Sequence, residues 1–344
     1  MRFAAYNIEW LDDAFTNQNE PKADHKRYKS APLPQVEALG NVLAELDADV
    51  IGITEGPNTA AGADGVKSTV KCLERLAADA GLRARKALIG FNAGRQEIAL
   101  MFDPDKVTAK HAPSGRAATS KPKFDEDFQL DADLDGLDEI HKHDRPPLEV
   151  KLTRKDTDTV MNLFVVHAKS KGIFNNTDRL HWERQSERNR RRLYAQAASI
   201  RDRVDDKLSK GEPVVVMGDI NDGPGMDEHE AKFGRSAVEV IMGDIFEADK
   251  ILNCLAGRPK WGQYGWKPST ARFTDNYTGD PVNVMIDFIL TSQDITPLGD
   301  EDPYKIWNPY EIWTKKEREK PENQPLFDAL RSASDHFPVT LDFE

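Results

Sequence analysis

Short runs of apolar residues, many of them β-branched, recur along the chain, each halted by a polar residue and a breaker. Phe3-Ala4-Ala5-Tyr6 runs into Asn7, and Val50-Ile51-Gly52-Ile53-Thr54 into Glu55, where Gly56-Pro57 ends it. Residues 160–166 stop at His167. Val214-Val215-Val216-Met217 stops at Gly218-Asp219-Ile220-Asn221, and Gly223-Pro224-Gly225 forces a turn. Apolar runs bounded by turn residues predict buried strands. Asp219 and Asn221 are two apart, so an extended backbone points them to the same side. Residues 284–290 read as a further strand with an anomalous Asp287 in its middle, and Asp335-His336 leads into a last strand.

Helical spacing appears between these runs. Val36, Leu39, Val42, Leu43 and Leu46 predict a helix over 35–46, and others are expected over 68–80 and 178–208. The last of these carries eight arginines between Arg179 and Arg203. Residues 86–91 turn into 97–102 as a strand pair, and 148–152 is strand-like. Residues 11–34 read as a loop, and 111–144 as an irregular, acidic insertion. Strands alternating with helices imply an α/β fold. No break in composition divides the chain, which predicts one domain over 1–344.

Composition narrows the choice. Hydrophobic residues make up 39% of the 344, yet no run approaches a membrane span. The start of the chain enters a strand without the architecture of a leader, which predicts a cytoplasmic protein, or an exported one if a leader has been removed. Two cysteines make neither a disulfide framework nor a metal cluster. A formal net charge of −12 counts against avid, non-specific binding to long nucleic acid. It leaves room for a local cationic groove, and acidic metal ligands themselves raise the negative count. No obligate protein partner is evident.

The strand ends gather chemistry: Asn7, Glu55, His167, Asp219 with Asn221, and Asp335 with His336, while Asp287 interrupts an apolar run. Ligand sites of α/β sheets lie at strand C-termini, so chain-distant polar groups placed alike point to one cleft. Each has a plainer reading as a cap, turn or solvated residue. Asp287 is hardest to explain that way, because an unpaired buried carboxylate is costly.

The ordered set of Ala5-Tyr6-Asn7-Ile8, Ile53-Thr54-Glu55, Arg145-Pro146-Pro147-Leu148, Val166-His167-Ala168-Lys169-Ser170, Gly218-Asp219-Ile220-Asn221, Met285-Ile286-Asp287-Phe288 and Ser334-Asp335-His336-Phe337 resembles the endonuclease/exonuclease/phosphatase superfamily. The resemblance implies a four-layer α/β/β/α sandwich of two mixed sheets flanked by helices, with one metal-bearing cleft. It implies a metal-dependent phosphoric ester hydrolase, a nuclease cutting DNA or RNA. The alternative is a small-molecule or lipid-headgroup phosphoesterase, and a catalytically inactive binding module is a third reading.

In that scheme Glu55 is the main ligand of one or two Mg²⁺ or Mn²⁺ ions, with Asn7 and Asp335 completing or supporting the shell. Asp219 and Asn221 orient water and the scissile phosphate. His336 contacts phosphate or assists as base, with Asp287 fixing its tautomer. His167 polarises a phosphate oxygen or acts as general acid, and Arg145 clamps phosphate. Thr54 stands where many relatives have Gln, and Glu97 lies near where some carry an acid that orients the first histidine.

Two further features stand apart. Asp131-Ala132-Asp133-Leu134-Asp135-Gly136 imitates the start of a calcium loop, but Lys142 occupies its twelfth position, so Ca²⁺ competes with a solvated acidic loop. Trp261, Tyr264, Trp266, Phe273 and Tyr277 are candidates for base stacking or for core packing.

Overall fold

A computed structural model describes residues 1–59, 67–115, 121–132, 135–173, 178–223, 230–256, 268–274, 279–298 and 303–344. The first strands are β1 (Arg2–Asn7), β2 (Val50–Gly56), β3 (Lys86–Ile89), β4 (Glu97–Phe102), β5 (Val107–His111), β6 (Phe128–Leu130), β7 (Glu139–His141) and β8 (Leu148–Arg154). They are followed by β9 (Val160–His167), β10 (Val214–Asp219), β11 (Asn253–Cys254), β12 (Ala271–Thr274), β13 (Pro281–Val284), β14 (Asp287–Thr291), β15 (Tyr304–Ile306) and β16 (Val339–Asp342). The helices are α1 (Gln35–Leu46), α2 (Thr69–Asp79), α3 (Arg179–Leu208), α4 (Ala237–Met242), α5 (Pro309–Ile312), α6 (Lys315–Arg318) and α7 (Gln324–Ala333).

Two six-stranded mixed sheets, ordered β15-β16-β1-β2-β4-β3 and β11-β14-β10-β9-β8-β5, lie face to face with helices outside. This is the expected four-layer sandwich. Strand alternation builds it. Phe3, Ala5 and Val50 face the other sheet, while Ala4, Tyr6, Ile51 and Ile53 pack under α1, α2 and α7. Both faces are covered, so these strands read as unbroken apolar runs. Gly52 permits the close approach of the sheets, because a Cβ there would meet Met217 at 2.8 Å and Val165 at 3.1 Å. The second sheet is backed by Leu193, Ala197, Ile200 and Val204 of α3. No helix among the described residues is long and apolar enough to cross a membrane.

The structure departs from the sequence reading at three places. Residues 284–290 are not one strand: β13 pairs with β12 in a separate hairpin, and Asp287 opens β14 instead of interrupting it. Thr270 makes the break, its Oγ1 accepting the N–H groups of Ile286 and Asp287 at 3.0 Å each. Residues 111–144 contain regular structure, because β6 and β7 form a hairpin whose Phe128 and Leu130 pack on Ala195 and Tyr194 of α3. Three-residue strands are too short for a periodicity to show in sequence. Asn221 is not extended. Its φ of 57° is left-handed, so it folds back on Asp219 in place of running parallel to it.

Of the stretches noted above, Pro224 and Gly225, Asp133 and Leu134, and Trp261, Tyr264, Trp266 and Tyr277 lie outside the described residues. Asp131 is occupied in closing its own loop, accepting the N–H of Asp135 at 3.1 Å and of Gly136 at 2.8 Å. Phe273 is exposed.

Candidate active site

The second sheet sets three side chains abreast. In parallel pairing with β9, Asp219 sits opposite His167, and in antiparallel pairing with β14 it sits opposite Asp287. Asp287 begins an antiparallel strand at the same sheet edge where β9 and β10 end. All three are buried. Gly218 makes the sharp approach possible, since its φ is 126° and a Cβ there would fall 2.2 Å from the Val166 carbonyl oxygen.

The first sheet supplies the other half. Glu55 sits at a register shift between β2 and β4, between the partners of Ile53 and Gly56, with φ of 62°. A bulge turns a side chain away from the regular alternation, and here it turns Glu55 toward the cleft. Asn7, at the end of β1, donates from Nδ2 to Glu55 Oε1 at 3.2 Å and to Asp219 Oδ2 at 3.0 Å. One amide therefore joins a carboxylate of each sheet. Glu55 Oε2 accepts the Trp10 N–H at 2.9 Å.

His336 Nδ1 lies 2.8 Å from Asp287 Oδ2, and His336 Nε2 is 3.9 Å from both Asp219 Oδ2 and Asp335 Oδ1. Burial disfavours the charged form of His336. Asp287, followed by Asp219 and Asp335, outweighs burial and holds its pKa well above the ordinary histidine value. His167 goes the other way. Burial, then the charges of Arg145, His336 and Lys169, hold it well below that value. Its Nε2 is 3.5 Å from Asp219 Oδ2 and 3.7 Å from Glu55 Oε1. Burial and then the charge of Asp287 push Asp219 up to about 7. Asn221 orients that carboxylate, its N–H meeting Oδ1 at 2.8 Å and its Nδ2 meeting Oδ2 at 3.1 Å.

Asn7, Glu55, His167, Asp219, Asn221, Asp287, Asp335 and His336 thus meet in one place. Arg145 stands behind them. Its Nε donates to the His167 carbonyl at 3.1 Å, its Nη2 to the Ala168 carbonyl and its Nη1 to Gln96 Oε1 at 2.9 Å. That fork braces the strand end carrying His167. Glu97 does not meet His167. It accepts the N–H of Ala93 at 2.9 Å and of Thr59 at 3.3 Å, and burial raises its pKa to about 7. His167 Nδ1 has no hydrogen-bond partner among the described residues.

Glu9 was not singled out in the sequence, and the structure gives it a definite place. It accepts Arg27 Nε at 2.8 Å and the Tyr28 hydroxyl, and its Oε2 takes the Asp335 N–H at 3.0 Å. The loop at 11–34 thereby fixes the segment bearing Asp335 and His336. Glu9 and Trp10 both have positive φ, at 43° and 48°. Left-handed backbone is marked in sequence by Gly or Asn, so a Glu-Trp pair gives no warning.

Asp335 Oδ1 is buried without a hydrogen-bond partner among the described residues. Burial raises Asp335 to about 7, with His336 opposing and Glu9 and Glu55 adding to the rise. Crowded oxygen donors of this kind suit a hard divalent cation, which relieves their repulsion. Asn7 gives its own oxygen to the Glu9 N–H at 3.0 Å, so it supports such a shell by holding Glu55. Asp219, Asp287 and His336 also offer ligand atoms within 4.8 Å of one another.

The fold is found in solved structures. The catalytic domain of human Nocturnin with bound sulfate superposes with a TM-score of 0.50 at 13% identity, over 100% of this chain and 94% of that one. A truncated Caenorhabditis elegans TDP2 gives 0.46 at 13% identity, over 99% and 96%. An endonuclease/exonuclease/phosphatase family protein from Bacteroides thetaiotaomicron gives 0.48 at 14%, over 100% and 94%. No curated protein matches the chain. The model of the Endonuclease/Exonuclease/phosphatase family matches residues 4–336, and with nearly the whole sequence matched, the chain belongs to that family.

Proposed function

We propose that the protein is a divalent-metal-dependent phosphodiesterase acting on nucleic acid, DNA or RNA, by attack of water on phosphorus. The observation that supports this most is the row His167–Asp219–Asp287 with His336 2.8 Å from Asp287. It sets a buried base, a neutral imidazole and a cationic imidazole around one volume. Phosphodiester hydrolysis needs all of these functions, because substrate and attacking water must be aimed while charge builds on the phosphoryl oxygens.

Glu55 and Asp335 would hold the cation, with Asn7 fixing Glu55. When bound, Mg²⁺ or Mn²⁺ supplies charge neutralisation at a phosphate oxygen. Asp219, oriented by Asn221, takes a proton from water as its oxygen bonds to phosphorus. The bond from phosphorus to the leaving oxygen breaks, and His336 hands that oxygen its proton. Asp287 holds the resulting neutral imidazole in place, the orienting role of a triad carboxylate. His167, kept neutral by burial, polarises a non-bridging oxygen through one N–H and is a poor general acid. Arg145 holds His167 in register.

A small-molecule or lipid-headgroup phosphoesterase is the second reading, and the net charge of −12 is what favours it. One panel separates the two. Single- and double-stranded DNA, RNA, an aryl phosphodiester, an aryl phosphomonoester and a phospholipid are offered with Mg²⁺ and with Mn²⁺. Cleavage of nucleic acid, stopped by excess chelator and restored by metal, is expected. Turnover of the monoester or lipid alone, or turnover that survives chelation, overturns the proposal.

A further inference from the structure

The β6–β7 hairpin and one face of α3 enclose a cleft of about 900 Å³ beside the catalytic floor. Five cations line it: Lys142, Arg184, Arg188, Arg191 and Arg192. Most of its acids are already engaged. Arg191 holds Glu139 at 2.6 Å and Glu187 at 3.4 Å, Lys232 reaches Glu187 at 3.3 Å, and Arg192 holds Asp144. Lys142, Arg184 and Arg188 are exposed and in no ion pair among the described residues; Asp127 is the one lining acid in the same position. Three uncommitted cations against one anion leave the cleft positive, on a chain whose net charge is strongly negative.

The cations are also ordered. Arg184, Arg188 and Arg192 are spaced by four residues, so they climb one helix face at about 6 Å per step. A nucleic-acid strand carries one charge per about 3.4 Å of axis and meets such a row repeatedly. Guanidinium forks suit phosphate better than ammonium groups do. Between the walls, Ile140 is 72% exposed and offers an apolar surface for sugar or base. The cleft adjoins the site through bonded neighbours. Arg192 holds Asp144, the next residue Arg145 braces the His167 and Ala168 carbonyls, and Gln196 accepts the Lys169 N–H at 2.8 Å.

We propose that this cleft is the track for a nucleic-acid strand, with Arg184, Arg188 and Lys142 holding phosphates beyond the one cut over Asp219. The assignment deepens the nuclease reading and rests on it. A two-walled cleft admits a strand, whereas a flat membrane surface does not reach its floor.

The test compares wild type with Arg184→Gln/Arg188→Gln and Arg184→Lys/Arg188→Lys. Binding of a fluorescent single-stranded oligodeoxynucleotide is measured in excess chelator over a salt series, and kcat/KM with metal is measured on that oligonucleotide and on an aryl phosphodiester. The glutamine pair is expected to lose at least about tenfold in oligonucleotide affinity, with a salt slope shallower by about 0.7 for each lost contact. Its kcat/KM should fall much further on the oligonucleotide than on the aryl ester, and the lysine pair should restore most of the affinity. A glutamine pair that binds as wild type does, or a wild type that cleaves the aryl ester yet binds no oligonucleotide, overturns the track while the phosphodiesterase reading stands. Oligonucleotide binding lost in the glutamine pair, from a protein that hydrolyses no phosphodiester, supports the track and overturns the catalytic reading. Capture by anionic phospholipid vesicles with no oligonucleotide binding overturns the nucleic-acid assignment.

Discussion

Asp219 and Asp287 face one another across the β10–β14 pair, both buried. Burial, and then the charge of Asp287, raises Asp219. The arrangement sorts them by partner: Asp287 is matched to the cationic His336, while Asp219 rises toward neutrality and is left with amide donors. In the proposed mechanism Asp287 is the orienter and Asp219 the base.

Asp219→Asn and Glu55→Gln should each lower kcat by about 10³-fold, since each removes a charge that the proposed transition state uses. Asp219→Asn should also raise the stability of the metal-free protein by about 1 kcal/mol or more, because it deletes a charge buried beside another acid. Steady-state kinetics and urea melts check both halves. Turnover close to wild type in either variant removes that residue from the mechanism.

Asp287→Asn should lower kcat by roughly 10²- to 10⁴-fold, as loss of an orienting carboxylate does in other histidine systems. KM should change little, because Asp287 is screened from substrate by His336. A variant whose defect lies in KM would instead make Asp287 a binding group.

Arg145→Lys keeps the charge and loses the fork that reaches the His167 and Ala168 carbonyls. About 2 kcal/mol of stability should go with those bonds, and kcat should fall roughly tenfold as His167 loses its brace. If KM rises steeply with stability unaffected, Arg145 contacts phosphate directly.

His143 gives the fold an acid limit. It is packed against Phe124 and Phe128 with Ser199 Oγ at 3.2 Å, and burial lowers its pKa to about 3. A histidine whose folded pKa lies below its unfolded value of about 6.5 contributes fully above that value and loses its contribution as pH falls. Between pH 7 and 5 the loss should reach about 2 kcal/mol. His143→Gln cannot titrate and should flatten this part of the urea-midpoint curve. An unchanged acid slope would assign the loss to other groups.

The polar ends of β1, β2, β9 and β10 were legible because each follows an unbroken apolar run that only burial on both faces explains. That pattern marks Asn7, Glu55, His167 and Asp219 from the sequence alone. What escaped has physical reasons. Glu55 owes its aim to a bulge, and Asn221 owes its grip on Asp219 to a left-handed turn, neither of which apolar periodicity encodes. Of the eight arginines along α3, Arg201 and Arg203 are buried, which a count of charges along a helix does not reveal. Arg201 caps the Ile241 and Met242 carbonyls at the end of α4, and Arg203 donates to the Pro122 carbonyl. Glu9 and Thr270 act through main-chain N–H groups, and residue type alone does not reveal such contacts.

The Asn7 amide, with one hydrogen bond toward each sheet, makes chemistry a property of the interface between them. Glu55 and His336 arrive with one layer, Asp219 and Asp287 with the other, and neither layer holds the proposed site alone. A molecule whose sheets part slightly, through a larger residue at Gly52 pressing on Met217, should fall silent while still folded by every bulk measure. Turnover is then the finest gauge this protein offers of how tightly its two halves are closed.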